Sequence, residues 1–397
     1  MSAWVAKASD LWQQWRLPAE DAAAPLYDRG LVCLALTLMC IGFVIITSAS
    51  MPVAERLHGN AFHFAVRHGI YLGLALVIAL VALQVPMQAW QKSSGILLLF
   101  GMLLLLAVLV VGRNVNGSTR WLVVGPITVQ AAEPAKLFFF CYLSGYLVRR
   151  HQEVRDNIKG FIKPLVVLFI LALLLLFQPD LGTVVVMAAA TVGLLFLAGA
   201  KLWQFFALVL TLASAFTILI VVEPYRLRRL LAFWDPWEDP FGKGYQLTQS
   251  LMAYGRGSGT GVGLGNSIQK LEYLPEAHTD FIFAVLAEEL GFVGVCLVLS
   301  VLFVLVYKAL KLGKKAIDME RSFEGFFAYA IGIWFSFQTA VNVGASAGIL
   351  PTKGLTLPLV RYGGSSLIVM TLAVVVLLRI DHELKMQSLQ ATSGGKS

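Results

Sequence analysis

Long apolar runs, broken by short polar stretches, dominate this chain. Runs near residues 30–48, 69–85, 95–112, 183–198, 203–222, 281–306 and 323–348 approach or exceed the roughly 20 residues a helix needs to cross a hydrocarbon core. Three further runs begin after residue 130, end at 178 and end near 378, which brings the expected number of spans to about ten. The alternating strand pattern of an outer-membrane barrel is missing from the sequence. The pattern therefore predicts an all-α integral membrane protein, a polytopic bundle. It divides into an N-terminal segment 1–29, a membrane domain 30–378 and a tail 379–397.

The one long polar interruption runs from residue 223 to residue 280. A loop that only joins two spans needs far fewer residues, so this stretch is where chemistry is expected. It opens with a basic cluster at Arg226, Arg228 and Arg229 and continues through a Trp-rich segment suited to a membrane interface. Residues 245–254 have apolar positions three and four apart, which predicts a short surface helix. The glycine run 255–265 lacks the context of a nucleotide-binding fingerprint and predicts tight turns whose exposed amides suit a phosphate. The loop closes on Asp280, a carboxylate at the mouth of the next span.

Composition agrees with the patterning. Of 397 residues 58% are hydrophobic and only 14% charged, and the mean hydropathy is +0.76. The net charge of +8 does not point to nucleic acid, because its distribution follows topology. The short loops on the side of the termini carry Lys92, Arg149 to Lys163, Lys201 and Lys308 to Arg321, which assigns that side to the cytoplasm. Both termini are then inside and loop 223–280 outside. Cys33, Cys40, Cys141 and Cys296 show no disulfide or metal spacing and are expected as small packing residues.

Several polar residues stand out against this background. Glu133 and Lys136 share a helix face at the start of a span, either as a capping salt bridge or as a polar cavity lining. Asp180 precedes a span and is expected to cap it. Glu288 and Glu289 lie about two turns inside a span and require partners in the bundle. Gln338, Asn342 and Ser346 form a stripe at four-residue spacing that must face other helices. His58, His63 and His68 are five apart, a spacing that does not stack them on one helical face for metal binding.

The motifs Asn116-Gly-Ser-Thr-Arg-Trp121, Gln178-Pro-Asp-Leu-Gly-Thr183, Gly244-Tyr-Gln246, Gly263-Leu-Gly-Asn-Ser267, Leu274-Pro-Glu-Ala-His-Thr-Asp-Phe281, Leu350-Pro-Thr-Lys-Gly-Leu355 and Tyr362-Gly-Gly-Ser-Ser366 occur in one order along the chain. Together they resemble the SEDS family (shape, elongation, division and sporulation), nearest its cell-division branch, over nearly the whole length. The resemblance implies a ten-span enzyme of the bacterial cytoplasmic membrane, at the division septum, that polymerises lipid II into peptidoglycan glycan strands. It implies Asp280 as the catalytic carboxylate and a class B penicillin-binding transpeptidase, with other divisome proteins, as partners. The cavity and substrate-binding set that follows is Arg120, Trp121, Glu133, Lys136, Arg226, Arg229, Tyr245, Gln249, His278, Lys353 and Ser365.

Three places depart from the family pattern. Ala131-Ala132 stand where the family has Pro-Ser, Ser258 to Thr260 lack its aromatic residue, and Arg361 replaces a serine. The chemistry itself needs a base for the attacking hydroxyl and positive charge for the departing diphosphate. Asp280 is assigned the first role, and Arg120, Lys136, Lys353 and residues 226–229 the second. No covalent cofactor is expected; a divalent cation, Mg or Mn, is compatible with the diphosphate. A lipid II flippase and a scaffold that activates a septal transpeptidase stay open as alternatives.

Overall fold

A computed structural model describes residues 27–115, 118–124, 127–223, 233–350 and 355–394. The candidates Arg226, Arg229 and Lys353 lie outside the described residues, as does the segment before Tyr27.

The helices are α1 (Arg29–His58), α2 (His63–Ala82), α3 (Met87–Val111), α4 (Ala132–Arg149), α5 (His151–Asp156), α6 (Ile158–Phe177), α7 (Leu181–Leu197), α8 (Leu202–Val222), α9 (Tyr245–Gly257), α10 (Ile282–Asp318), α11 (Ser322–Ser346) and α12 (Gly364–Gly394). Eight of these are long and apolar enough to cross a membrane. Beside them α7 is apolar over 17 residues, and α4 carries the buried Glu133 and Lys136. The core lies where α10, α11 and α4 pack together, with α12 against α2. Trp334, Phe335, Phe140 and Phe283 fill it. Of the cysteines only Cys141 is packed inside; Cys33, Cys40 and Cys296 face outward, so the packing expectation fails for three of them.

The stretch after α3 is a small antiparallel sheet of β1 (Arg113–Val115), β2 (Ser118–Val124) and β3 (Ile127–Gln130), in order β1-β2-β3. Trp121 pairs with Gln130 and Leu122 with Val129. The signal was present: Asn116-Gly117 and Gly125-Pro126 punctuate β-branched runs, as in hairpins.

The chain beyond Arg379, expected as a polar tail, continues α12, with Arg379, Asp381, His382 and Glu383 buried. Glu383 accepts from Arg379 Nε at 2.9 Å and from Arg321 Nη2 at 2.8 Å. It also accepts from the first-turn amide of α3, Met87 N, at 2.9 Å. A carboxylate there satisfies an otherwise orphaned donor at the positive end of a helix. The charges of this segment are thus the docking face of the helix.

A second departure shapes the site. Inside α10, Gly291 adopts φ 66°, ψ −168°, and breaks the helical ladder. The glycine run fills the break. Val262 N and Gly263 N donate to the carbonyls of Glu288 and Glu289, both at 3.0 Å, while Phe292 N and Val293 N donate to Ser258 O and Gly259 O at 2.9 and 3.1 Å. The amides of Val262 and Gly263 are therefore spent on α10 and are not offered to a phosphate. A Cβ at Gly257 would strike the Ala287 carbonyl and one at Gly291 the Gly261 amide. Gly291→Ala should therefore cost about 2 kcal/mol or more of stability, read as a lowered unfolding midpoint of the purified protein in detergent; an unchanged midpoint would contradict the strained contact.

Candidate active site

Glu288 and Glu289 are fully buried, and charges in hydrocarbon require partners. Glu288 accepts from Arg256 Nη1 at 2.7 Å, from Ser267 Oγ, and from the amides of Ile268 and Gln269 at 3.1 and 3.3 Å. Glu289 accepts from Lys270 Nζ at 2.9 Å and from Ser48 Oγ at 2.6 Å. The two carboxylates thereby tie α9, the segment after it and α1 to α10. The long loop, so anchored, delivers Asp280 to the start of α10.

A second polar chain fixes the opposite wall. Lys136 Nζ donates to Glu133 at 3.0 Å and to Gln338 Oε1 at 3.3 Å, and lies 5.1 Å from the Trp334 ring centroid. The salt bridge forms within the first turns of α4, with both members buried in the bundle. Gln338 Nε2 continues the chain to Thr356 O at 2.6 Å, and Asn342 Nδ2 donates to Leu355 O at 2.6 Å and to Asp280 O at 3.4 Å. The third member of the stripe, Ser346, accepts at its carbonyl from Ser250 Oγ at 2.6 Å and meets Tyr254 at 3.0 Å, holding α9. One face of α11 therefore positions both the loop and the segment before α12.

Asp280 sits on a tight turn in which Thr279 N and Phe281 N donate to Glu276 O and Glu276 takes φ 57°. Its side chain remains 29% exposed and its Oδ1 lies 2.7 Å from Arg361 Nη2. Phe64 links the two segments, stacking on His278 at 5.4 Å and meeting Tyr362 edge-on at 5.6 Å. Ser365 Oγ accepts from Gln130 N at 3.1 Å, joining β3 to α12.

The other candidates separate by role. Arg120 donates from Nε to Gln178 O at 3.0 Å and from Nη2 to Pro179 O, bracing the α6–α7 turn. Asp180 caps α7 as expected, accepting from Thr183 N at 3.2 Å and Thr183 Oγ1 at 2.8 Å. Trp121 is half-buried on β2, and Tyr245 and Gln249 are half-buried on α9. His58 and His63 stack at 3.8 Å because Gly59 ends α1 between them. Arg361 and Phe64 are the site residues that the candidate set omitted. The signal for Arg361 was its charge, where the family pattern calls for a small residue.

A family model described as a cell cycle protein family, FTSW_RODA_SPOVE, matches residues 29–386. The chain belongs to this family. Among its relatives, the probable peptidoglycan glycosyltransferase FtsW of Pseudoalteromonas atlantica is 67% identical over 376 residues, covering 95% of this chain and 77% of that protein. The FtsW of Escherichia coli O6:H1, with the same description, is 55% identical over 388 residues, covering 98% and 94%. The fold is similar to a chain of a peptidoglycan synthase complex that coordinates polymerization and crosslinking, with TM-score 0.73, 32% identity, and 90% and 98% coverage. It is also similar to the rod shape determining protein RodA of Thermus thermophilus, with TM-score 0.65, 29% identity, and 92% and 98% coverage.

Two outcomes follow from this geometry. Lys270→Ala strands the Glu289 carboxylate and should cost about 3 kcal/mol, measured by chemical unfolding in detergent; a cost near zero would show that the pair does not anchor the loop. Burial beside Phe64 pushes the His278 imidazole below its ordinary 6.5, with Glu276 and Asp280 opposing the shift and Arg361 adding to it. The neutral ring is favoured in the fold, so the unfolded chain binds the extra proton and stability declines as pH falls below about 6.5. His278→Gln should make that decline shallower when unfolding is compared at pH 7.5 and 5.5.

Proposed function

We propose that this chain is a peptidoglycan glycosyltransferase that polymerises lipid II into glycan strands for septal wall synthesis. The observation that carries the reading is Asp280 itself, a half-exposed carboxylate beside a guanidinium, in a chain 67% identical to a probable peptidoglycan glycosyltransferase. In this reading Asp280 takes the proton of the acceptor hydroxyl as that oxygen attacks the anomeric carbon. The bond to undecaprenyl diphosphate breaks in the same displacement, and the configuration inverts. One carboxylate suffices, because the diphosphate leaves without being protonated.

The loop-bearing end of the bundle faces outward from the bacterial cytoplasmic membrane and both termini face the cytoplasm, a topology supported by the Lys and Arg of the short loops. A class B penicillin-binding transpeptidase at the division septum is the partner in this reading, supported by the likeness to a complex that couples polymerization to crosslinking. A divalent cation would ease departure of the diphosphate. However, among the described residues no three of His, Cys, Asp or Glu converge, and Asp280 already meets a cation. A cation carried by the substrate diphosphate needs only one or two protein carboxylates, and no step is routed through one here.

Asp280→Asn keeps the size of the side chain and removes the base. With lipid II and the cognate transpeptidase, strand formation should fall about a hundredfold or more while the folded protein survives. Equal polymerisation by both folded proteins would end the assignment of Asp280.

A further inference from the structure

The contact between Asp280 and Arg361 is unusual for a working base. Nη2 lies 2.7 Å from Oδ1, yet Oδ1 has no hydrogen-bond partner and neither has the buried Nε of Arg361. The two charges attract each other without aligned donors, so the guanidinium retains unused N–H groups. Its side chain is only 14% exposed, and a cation so far removed from water needs an anion whenever it leaves its partner. Proton transfer to Asp280 neutralises that partner. The base can therefore act only when another anion takes up Arg361, and the reaction generates one at the same site.

The backbone presents Arg361 firmly. Leu359 takes φ 62°, Leu359 and Val360 are buried, and the Val360 backbone packs so closely on α1 that a Cβ at Gly42 would meet it at 2.9 Å. On the other side Tyr71 leaves no room for a Cβ at Gly364. Rotation is left to the long side chain. In an inverting displacement the base and the leaving oxygen stand on opposite faces of the sugar, roughly 7 Å apart when a hydrogen bond, an attack distance and a bond length are added. An arginine side chain sweeps that distance about a fixed Cα, and its planar fork matches phosphate oxygens.

We propose that Arg361 is the cation that receives the diphosphate of the glycosyl donor, and that its pair with Asp280 is a latch which this diphosphate opens. The proposal rests on the glycosyltransferase reading. The donor diphosphate draws the guanidinium off Oδ1, and the carboxylate then accepts the hydroxyl proton. The new C–O bond forms at the anomeric carbon as the old one breaks, and its electron pair goes to the diphosphate oxygen facing Arg361.

Binding of farnesyl diphosphate to the full chain in detergent tests the latch without turnover, with farnesol as the control for the hydrocarbon tail. In Asp280→Asn no carboxylate competes for Arg361, so affinity should rise about tenfold over the unaltered protein. In Arg361→Ser it should fall about tenfold, with Arg361→Lys between the two. The double variant should bind like Arg361→Ser. Equal affinity in the unaltered protein, Asp280→Asn and Arg361→Ser would overturn the proposal and leave Arg361 as a clamp on the turn. If Arg361→Ser fails to fold, equal affinity in Asp280→Asn and the unaltered protein overturns the proposal by itself, and Arg361→Lys takes the place of the serine variant. The glycosyltransferase reading fails on a separate result, polymerisation by Asp280→Asn.

Discussion

A charge inside a membrane bundle must be paired, and the organisation of this protein follows from where its buried charges find partners. Glu288 and Glu289 have no exposure at all. Leaving either without a cation or donors would cost several kcal/mol. Their partners come from distant parts of the chain: Lys270 donates to Ser48, 222 residues away, as well as to Glu289. The polar loop is therefore held by the helix that follows it. The break at Gly291 belongs to the same design, because it frees the carbonyls of Glu288 and Glu289 for the glycine segment.

The polar stripe on α11 does for the other wall what the two glutamates do for the loop. Gln338 and Asn342 reach the segment at 355–356, and Asn342 also touches the backbone of Asp280. Lys136 and Glu133 feed into the same chain from α4. The base proposed at Asp280, which must meet a sugar hydroxyl within a few tenths of an ångström, needs such a supporting shell. Here that shell is a hydrogen-bonded network running through the apolar core, in which the loss of one member leaves the next without its partner.

Much of this was legible in the sequence because membrane insertion writes itself in length and polarity. The spans, the helix at Tyr245–Gly257, the Asp180 cap and the need of Glu288 and Glu289 for partners followed from local pattern. Identities of partners did not, since Lys270 and Ser48 meet Glu289 only through tertiary packing. The glycine amides looked free because a kink at Gly291 leaves little trace in an apolar run. Residues beyond Arg379 looked like a tail because polar side chains that dock a helix through ion pairs resemble solvated ones. Arg361 was visible as a misfit residue, and only the fold brings it to Asp280.

The proposed reaction turns on Asp280 exchanging Arg361 for a substrate hydroxyl. An experimentally determined structure of the protein with lipid II bound measures this most directly. The expected result is an acceptor hydroxyl within hydrogen-bond distance of Asp280 and the Arg361 guanidinium on a diphosphate. A bound substrate whose hydroxyls lie far from Asp280, with the carboxylate still held by Arg361, would contradict it.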